Sequence, residues 1–187
     1  MLARVRTSEG AVTLLAGPCA RLPAVPETEY PEPIRRVVDA AAKKGVTLDI
    51  HVFDETTHTA EDAARAIGCT LAQIVKTLVF VDGDGEPVAF LVSGANRLDP
   101  AKGAAAAGLA ELRKADARAT KERTGFSIGG IPPFGHDRPI PMYVDEDLLS
   151  SDEIWAAAGL PDAVFPLSPD DLLRASGAHA ADLKQTG

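Results

Sequence analysis

The fold is decided by the stretch Gln73-Ile74-Val75-Lys76-Thr77-Leu78-Val79-Phe80 and by the residues that follow it. Its apolar, β-branched composition predicts a buried strand over residues 74–81. The run Asp82-Gly83-Asp84-Gly85 then predicts a tight turn, with a partner strand over residues 87–93. Two strands joined by such a turn run antiparallel, which argues against a purely parallel sheet.

Helix signals alternate with strand signals on both sides of this hairpin. Helices are predicted over residues 31–45, 59–68, from 99 onward, 116–125, 152–158 and 168–176, and further strands over residues 46–53, 140–144 and 163–167. Good N-cap residues precede several of these helices, namely Thr59, Asp99, Asp116 and Ser168. This order, with a hairpin inside it, predicts an α/β (α+β) fold with a mixed sheet and surrounding helices.

Length and composition predict one globular domain. The chain has 187 residues, of which 45% are hydrophobic and 25% charged, and a chain of this size builds a full core. Residues 1–29 show no clear period and are broken by glycines and prolines. We interpret residues 1–29 as an N-terminal extension or poorly ordered arm, and residues 30–187 as the domain.

Charge and apolar patterning disfavour several classes of protein. The net charge of −8 argues against bulk electrostatic binding of nucleic acid, and a DNA-binding protein fits poorly. Two basic stretches, Lys43-Lys44 and residues 113–123, are interpreted as solvated helix faces. No apolar run approaches the roughly 20 residues that cross a bilayer, so no membrane partner is predicted. Cys19 and Cys69 are typical of a reducing, cytoplasmic setting, with a disulfide between them left open.

Lys76 occupies the interior of the apolar strand, an unusual position for a cation. Burying an unpaired ammonium is costly, so such a lysine either reaches the surface or is held for chemistry. Both interpretations are open: a fixed cation that orients an ester, phosphate or carboxylate, or a lysine on a solvent-facing side of the strand. Thr77 points to the opposite face of a regular strand, so both side chains serve one site only near a bend or strand end.

The second candidate feature is the loop Thr124-Gly125-Phe126-Ser127-Ile128-Gly129-Gly130-Ile131-Pro132-Pro133-Phe134-Gly135-His136. Glycines let backbone N–H groups approach a ligand or an oxyanion, and prolines stiffen the loop. With the strand lysine, this loop indicates a pocket for a small anionic or carbonyl-bearing ligand, and a structural crossover loop is the alternative. His136 is interpreted either as a general base or orienting donor, or as a surface histidine.

The remaining polar residues give weaker signals. Asp145 directly follows a predicted strand, a common place for a site carboxylate, although it also begins an acidic turn. His51 and His58 form no metal-ligand spacing with either cysteine, so no metal is predicted. Ser93 and Ser127 lack the context of a nucleophile elbow, and the chain has no P-loop or dinucleotide motif.

Three blocks together resemble a known family. The strand with Lys76, the run Ser93-Gly94-Ala95-Asn96-Arg97-Leu98-Asp99, and the loop that ends at His136 are similar to the YbaK family. Its members are aminoacyl-tRNA deacylases related to the editing domain inserted in bacterial prolyl-tRNA synthetases. The resemblance covers the chain from about Pro31 onward. It implies a mixed, strongly curved sheet with surrounding helices, ester hydrolysis on aminoacyl-tRNA, and no metal or organic cofactor.

The resemblance also implies roles for individual residues. Lys76 matches the essential lysine of the family, and Gly129 to Pro133 match its Gly-x-x-x-Pro loop. Lys76 and Gly129 are therefore the expected catalytic residues: the loop stabilises the oxyanion, while the lysine holds the terminal adenosine phosphate or the aminoacyl end. The attacking group is a water or the neighbouring ribose hydroxyl. The expected substrate-binding residues are Thr77, Phe53, Ser93, Asn96, Gly130, Pro133, His136 and Asp145, with Thr59 or His58 near the pocket wall.

Two functions from different classes follow. The first is a free-standing trans-editing enzyme for tRNA(Pro) that carries a small wrong amino acid, with alanine, cysteine, serine, threonine and small analogues all open. Because the chain is acidic, prolyl-tRNA synthetase or an elongation factor is the expected partner that grips the tRNA. The alternative is a non-catalytic module that binds aminoacyl-adenosine or a small carboxylate and regulates a partner. Ester turnover distinguishes the two.

Overall fold

The computed structural model describes residues 4–6, 12–14, 30–53 and 59–186. The helices are α1 (Glu32–Ala42), α2 (Ala60–Ile67), α3 (Pro100–Ala107), α4 (Ala117–Thr124) and α5 (Pro169–Ser176), with 3-10 helices at Leu71–Gln73 and Glu146–Ser150. The strands are β1 (Arg4–Arg6), β2 (Val12–Leu14), β3 (His51–Val52), β4 (Val75–Val81), β5 (Pro87–Ser93), β6 (Arg113–Lys114), β7 (Met142–Asp145), β8 (Ile154–Ala157), β9 (Ala163–Leu167) and β10 (His179–Ala181).

The predicted hairpin of β4 and β5 lies inside a five-stranded sheet with the order β10-β7-β5-β4-β6. The two strands pair antiparallel along their whole length, from Val75 opposite Ser93 to Val81 opposite Pro87. On the other side of β5, strand β7 adds in parallel, and β10 adds in parallel to β7. Strand β6 pairs with β4 only at Phe80 and Val81. The prediction of a mixed sheet with surrounding helices is confirmed.

A second, antiparallel sheet has the order β3-β9-β8. In the described part of the chain, it meets the larger sheet at a single parallel bridge, between Ile74 and Trp155. The main apolar core includes Val75, Val79 and Leu91 of the larger sheet and Phe165 of the smaller one. The strong curvature that the resemblance implies stays a prediction, because the pairings show two sheets joined at one point.

Helix α1 fixes the Gly/Pro loop against the domain. Its Arg36 guanidinium donates a hydrogen bond to the Gly135 carbonyl at 3.1 Å and pairs with the Asp137 carboxylate at 2.7 Å. The same guanidinium lies 4.5 Å from the ring centroid of Phe126, a cation–π contact. Phe126 and Phe134 are both buried. The loop is therefore anchored in the core rather than solvated.

The helix predicted over residues 152–158 is wrong. Ile154–Ala157 is strand β8, which pairs antiparallel with β9. Ile154, Trp155 and Ala156 are all buried, so successive side chains are covered on both faces. A short apolar run covered on both faces suits a strand, and its alanines and preceding acidic residues imitate a helix start.

The strand predicted over residues 46–53 forms only at His51–Val52. Val46, Leu48 and Ile50 are buried, as their alternation predicts. However, the pairing with β9 includes only His51 and Val52, so the rest of the segment is extended chain without a ladder. Apolar alternation thus identified three buried side chains but missed His51 and Phe53, which are buried on the other face. The available partner strand limited the hydrogen-bonded length.

The N-terminal region is described only at its antiparallel pair of β1 and β2. The division of the chain at residue 30 stays a prediction, and Cys19 and His58 lie outside the described residues. None of the helices in the described part of the chain is long and apolar enough to cross a membrane.

Candidate active site

A cleft of about 260 Å³ opens beside the Ile74–Trp155 bridge, where the two sheets separate. One wall is the beginning of β4, from Ile74 to Leu78. The opposite wall is formed by β8 and β9, and the ends are closed by the first turn of α2 and by the Gly/Pro loop. Helix α2 is held in place by its N-cap, because the Thr59 hydroxyl accepts a hydrogen bond from the Asp62 N–H.

Small apolar side chains dominate the cleft lining. Alanines contribute from three elements: Ala63 from α2, Ala156 and Ala157 from β8, and Ala163 from β9. Some lining residues, including Ala63 and Trp155, belong to a buried cluster that also contains Phe53. Phe53 therefore supports the cleft from below and is not among the residues that line it. In the described part of the chain, the lining side chains with hydroxyl or ammonium groups are Thr59, Lys76 and Thr77.

Lys76 lies at the cleft wall with its ammonium held by main-chain carbonyls. Its Nζ donates to the Gly94 oxygen at 3.1 Å and to the Asn96 oxygen. Burial lowers the pKa of the Lys76 ammonium below its ordinary value, while the carboxylates of Glu61 and Asp145 act in the opposite direction. Lys76 is thus a partly desolvated cation whose position is fixed by the loop that follows β5.

That loop is itself held by a buried carboxylate. Asp145 is 1% exposed, and its Oδ2 accepts from the Ser93 N–H at 3.2 Å and from the Asn96 amide at 2.8 Å. Its Oδ1 accepts from the Asp147 N–H at 3.2 Å. The Ser93 hydroxyl donates to the Ala72 carbonyl at 2.9 Å, which ties the same loop to the segment before β4. Ser93, Asn96 and Asp145 therefore position Lys76 from behind and do not line the cleft.

Thr77 lines the cleft beside Lys76, although the two side chains project from opposite faces of β4. The cleft reaches both because it lies at the edge of β4, beyond the end of the β6 pairing. The Thr77 Oγ1 atom is buried and has no hydrogen-bond partner within the described residues. A buried hydroxyl without a partner is costly, and this one lies just behind the surface of the cleft.

The glycine loop contributes Ile128, Gly129 and Ile131 to the lining. Gly129 adopts φ 96°, a conformation that favours glycine. The neighbouring Gly130 N–H is already engaged, since it donates to the Ser127 carbonyl at 3.1 Å. Gly130 and Pro133 are buried and do not line the cleft.

His136 lies on the other side of the loop, away from the cleft lining. Its Nε2 is 2.9 Å from the Pro132 carbonyl oxygen, so this nitrogen is the donor. Burial lowers the pKa of the His136 imidazole, and its ring packs edge-on to Phe126. The neutral ring therefore links two parts of the loop through its hydrogen bond to Pro132.

Four residues singled out from the sequence line this cleft: Lys76, Thr77, Gly129 and Thr59. The opposite wall, on β8 and β9, was not predicted. Trp155, Ala156 and Ala157 were not identified because the segment was predicted as a helix. Ala63 and Ala163 carry no chemical signal in a sequence, since small apolar residues are read as ordinary core. Across residues 30–53 and 59–186, no cluster of three His, Cys, Asp or Glu side chains could hold a metal ion.

Comparison with known proteins shows which family the chain resembles in sequence and fold. Residues 54–175 match the family model of the aminoacyl-tRNA editing domain. The crystal structure of a candidate trans-editing enzyme for prolyl tRNA synthetase superposes with a TM-score of 0.79 at 45% identity, covering 84% of this chain and 100% of that one. The candidate Cys-tRNA(Pro)/Cys-tRNA(Cys) deacylase EbsC of Enterococcus faecalis is 28% identical over 124 residues, which are 66% of this chain and 76% of EbsC.

Prolyl-tRNA ligases match over a smaller share of their length. The ligase of Maridesulfovibrio salexigens is 34% identical over 105 residues, which are 56% of this chain and 18% of the ligase. The matched family defines the class of protein as an aminoacyl-tRNA deacylase, a hydrolase of the ester that joins an amino acid to tRNA. The chain belongs to the aminoacyl-tRNA editing domain family, the YbaK-like family that its three sequence blocks resemble.

Substituting the two loop glycines should separate stability from activity. In Gly130→Ala the new Cβ would lie 2.7 Å from the Leu160 carbonyl carbon, so we expect a loss of roughly 1–3 kcal/mol and a fall in Tm of several degrees. In Gly129→Ala the nearest atom is 3.8 Å away, on Pro161, and only backbone strain of about 1 kcal/mol opposes it. Thermal denaturation and ester hydrolysis are measured on both. We expect Gly129→Ala to lose more activity than stability; the reverse result would make the loop purely structural.

Asp145→Asn should weaken the support of Lys76. An amide in place of the carboxylate turns its NH₂ group either to the Ser93 N–H and the Asn96 amide or, when flipped, to the Asp147 N–H. Each orientation brings donors together, which costs roughly 1–3 kcal/mol. We expect a lower Tm and slower ester hydrolysis. Asp147→Asn is the matched control, because Asp147 is 44% exposed and water replaces its contacts. Equal effects of the two changes would contradict the positioning role of Asp145.

Proposed function

We propose that the chain is a free-standing trans-editing deacylase that removes a small, wrongly attached amino acid from tRNA(Pro). The observation that carries the proposal is the pairing of a fixed ammonium, Lys76, with the exposed glycine of the loop, Gly129, at one small cleft. The names of the trans-editing structure and of EbsC support the substrate class. The work is expected in the cytoplasm, where tRNA is charged.

The reaction is hydrolysis of the ester at the terminal ribose. A water attacks the carbonyl carbon directly, or the neighbouring ribose hydroxyl attacks first and moves the aminoacyl group to its own oxygen before water cleaves that new ester. In either route water supplies the oxygen of the released acid, and the bond from the carbonyl carbon to the ribose oxygen breaks as this oxygen takes a proton. The developing oxyanion is stabilised by the main-chain N–H of Gly129, since the Gly130 N–H is already used inside the loop. Neither attacking group requires a nucleophilic side chain.

Lys76 supplies the positive charge of the site. A partly desolvated ammonium interacts more strongly with an anion than one in water does, so it can orient the terminal phosphate or the polarised ester. Its two carbonyl partners leave the third ammonium proton for the substrate. Lys76 acts as a positioned cation in this scheme and transfers no proton.

The cleft lining favours a small amino acid. Alanine side chains on α2, β8 and β9 narrow the space opposite β4, and the total of about 260 Å³ also has to receive part of the terminal nucleoside. Alanine, cysteine, serine and threonine all have side chains of suitable size. The choice among them depends on the alanine walls and on the Thr77 hydroxyl.

The grip on the body of the tRNA is proposed to come from a partner. A net charge of −8 opposes binding to a polyanion, so affinity for tRNA alone should be low and sensitive to salt. Prolyl-tRNA synthetase or an elongation factor would present the charged acceptor end to the cleft. The similarity to segments of prolyl-tRNA ligases supports the first of these.

A deacylation panel tests the proposal. Transcripts of tRNA(Pro) charged with alanine, cysteine, serine, threonine or proline are incubated with the wild type, Lys76→Met and Lys102→Met. We expect wild-type hydrolysis of at least one mischarged species while Pro-tRNA is spared, and a loss of roughly 100-fold or more in Lys76→Met. Lys102 is the matched control, because its ammonium pairs with Asp182 outside the cleft.

The same panel distinguishes the alternatives. Lys76→Met should keep the wild-type Tm or exceed it, because the cost of desolvating the ammonium disappears. Near-normal turnover in Lys76→Met would remove the lysine from the mechanism. Stabilisation of the wild type by an aminoacyl-adenosine analogue, without hydrolysis of any charged tRNA, would favour the non-catalytic binding module.

The pH profile should report the Lys76 ammonium. Because burial lowers its pKa, the cation is lost at a lower pH than an ordinary lysine, and enzyme-dependent hydrolysis should fall on the alkaline side. The free energy of unfolding changes in the opposite direction. Because the folded state disfavours the charged form, the contribution of Lys76 to stability rises as the pH passes the folded pKa. Rates are corrected for spontaneous hydrolysis. If an active Lys76→Arg variant shows the same fall in hydrolysis rate at high pH, that fall belongs to a group other than Lys76.

A further inference from the structure

The edge of β4 is open where it borders the cleft. The Gly94 N–H donates to the Ile74 carbonyl, and the Asp82 N–H donates to the Glu86 carbonyl. Main-chain bonding alternates along an antiparallel pair, so Lys76, Leu78 and Phe80 also bond to β5. The N–H and C=O groups of the intervening Thr77 therefore point away from β5, towards the cleft.

Neighbouring strands do not cover this edge. On one side, pairing with β6 reaches Phe80 and Val81, and the Ala115 N–H covers the Val79 carbonyl. On the other side, β8 touches β4 at the single Ile74–Trp155 bridge and then diverges. Within the described residues, β5 is the strand that pairs with β4 at Thr77, and no strand pairs with the opposite edge of β4 at this residue. A main-chain donor and acceptor on the same residue are thus presented side by side to the cleft.

The facing strand shows the same arrangement. Ala156 lies opposite Phe165 in the β8–β9 pairing, and the Ala158 N–H donates to the Ala163 carbonyl. By the same alternation, the main-chain groups of Ala157 point away from β9 and across the cleft. Two unpaired strand edges therefore form the long walls of a cleft whose lining side chains are mostly apolar.

An aminoacyl ester has the main-chain pattern of one strand residue. In its extended conformation the α-ammonium and the carbonyl oxygen lie on the same side, as do the N–H and C=O of a residue in a strand. We propose that the aminoacyl group binds as a one-residue strand on β4, with its ammonium donating to the Thr77 carbonyl and its carbonyl oxygen accepting from the Thr77 N–H. This inference rests on the deacylase function proposed above.

The pairing has two consequences. First, the Thr77 N–H becomes a second main-chain donor to the carbonyl under attack, in addition to Gly129. Second, paired residues place their side chains on the same face, so the amino acid's side chain lies beside the buried Thr77 Oγ1, which lacks a partner within the described residues. The main chain of Thr77 binds the ammonium and carbonyl groups that all α-aminoacyl esters share, and the residues lining the cleft select the side chain by its size. Substrates would be α-aminoacyl esters with an unmodified amino group.

Replacing Thr77 by its α-hydroxy acid analogue tests the pairing directly. The change converts the main-chain N–H to oxygen and leaves the side chain intact. We expect kcat/KM for mischarged tRNA to fall about 10- to 100-fold with little change in Tm, because that N–H faces the cleft rather than β5. The matched control is the same replacement at Val79, which lies on the same edge outside the cleft lining and should keep wild-type turnover.

The substrate side is tested with acetylated Ala-tRNA, which the wild type should hydrolyse at least about 10-fold more slowly than Ala-tRNA. Binding of 3′-alanylamino-3′-deoxyadenosine, which resists hydrolysis, is measured by calorimetry in parallel. If the wild type hydrolyses charged tRNA and the Thr77 replacement hydrolyses it at the same rate, the strand pairing is overturned and the deacylase proposal stands. If the wild type hydrolyses no charged tRNA, the deacylase proposal fails, and the strand pairing is decided by calorimetry: tenfold weaker analogue binding by the Thr77 replacement supports it, and equal binding overturns it.

Discussion

A single bridge between Ile74 and Trp155 is the constraint on which the site depends. It joins the two sheets at one point and lets them diverge immediately afterwards, because β8 continues its pairing with β9 while β4 continues with β5. The divergence opens a space between two strand edges whose main-chain groups would otherwise pair with each other. The cleft is thus a consequence of sheet topology, and side chains refine it.

The same topology explains how an ammonium is tolerated in an apolar strand. Lys76 belongs to the end of β4 that β6 does not reach, so its Nζ can turn to the Gly94 and Asn96 carbonyls of the loop after β5. That loop is rigid because Asp145 binds both the Ser93 N–H and the Asn96 amide. Carbonyl dipoles, rather than a carboxylate in direct contact, stabilise the charge. A direct ion pair would neutralise the cation, whereas this arrangement leaves it able to attract an anionic ligand.

Local signals predicted the hairpin, the helix caps and the lysine-bearing strand, because turn chemistry and capping are properties of short segments. The opposite wall was missed. Ile154–Ala157 is a strand because it pairs with β9, the next strand along the chain, and residues 158–162 form the turn between them. Gly159 and Pro161 are local turn signals, but the alanines and the preceding acidic residues favoured a helix. Ser93, Asn96 and Asp145 were expected at the substrate, yet they contact the loop that carries the lysine's partners. A motif identifies residues that act together without telling which of them touch the ligand.

A site made from two open strand edges divides recognition into two parts. Main-chain N–H and C=O groups at Thr77 and Ala157 are present with every residue type except proline, which lacks the N–H, so nearly all substitutions leave them in place. The side chains of Ala63, Ala156, Ala157 and Ala163 shape the cleft lining and take no part in the hydrogen bonds of either sheet. A chain of this design can therefore change which amino acid it accepts while it keeps its hold on the aminoacyl ester. In the proposed mechanism the cleft uses the positive charge of Lys76, which is compatible with an acidic surface and with the proposed partner that binds the rest of the tRNA.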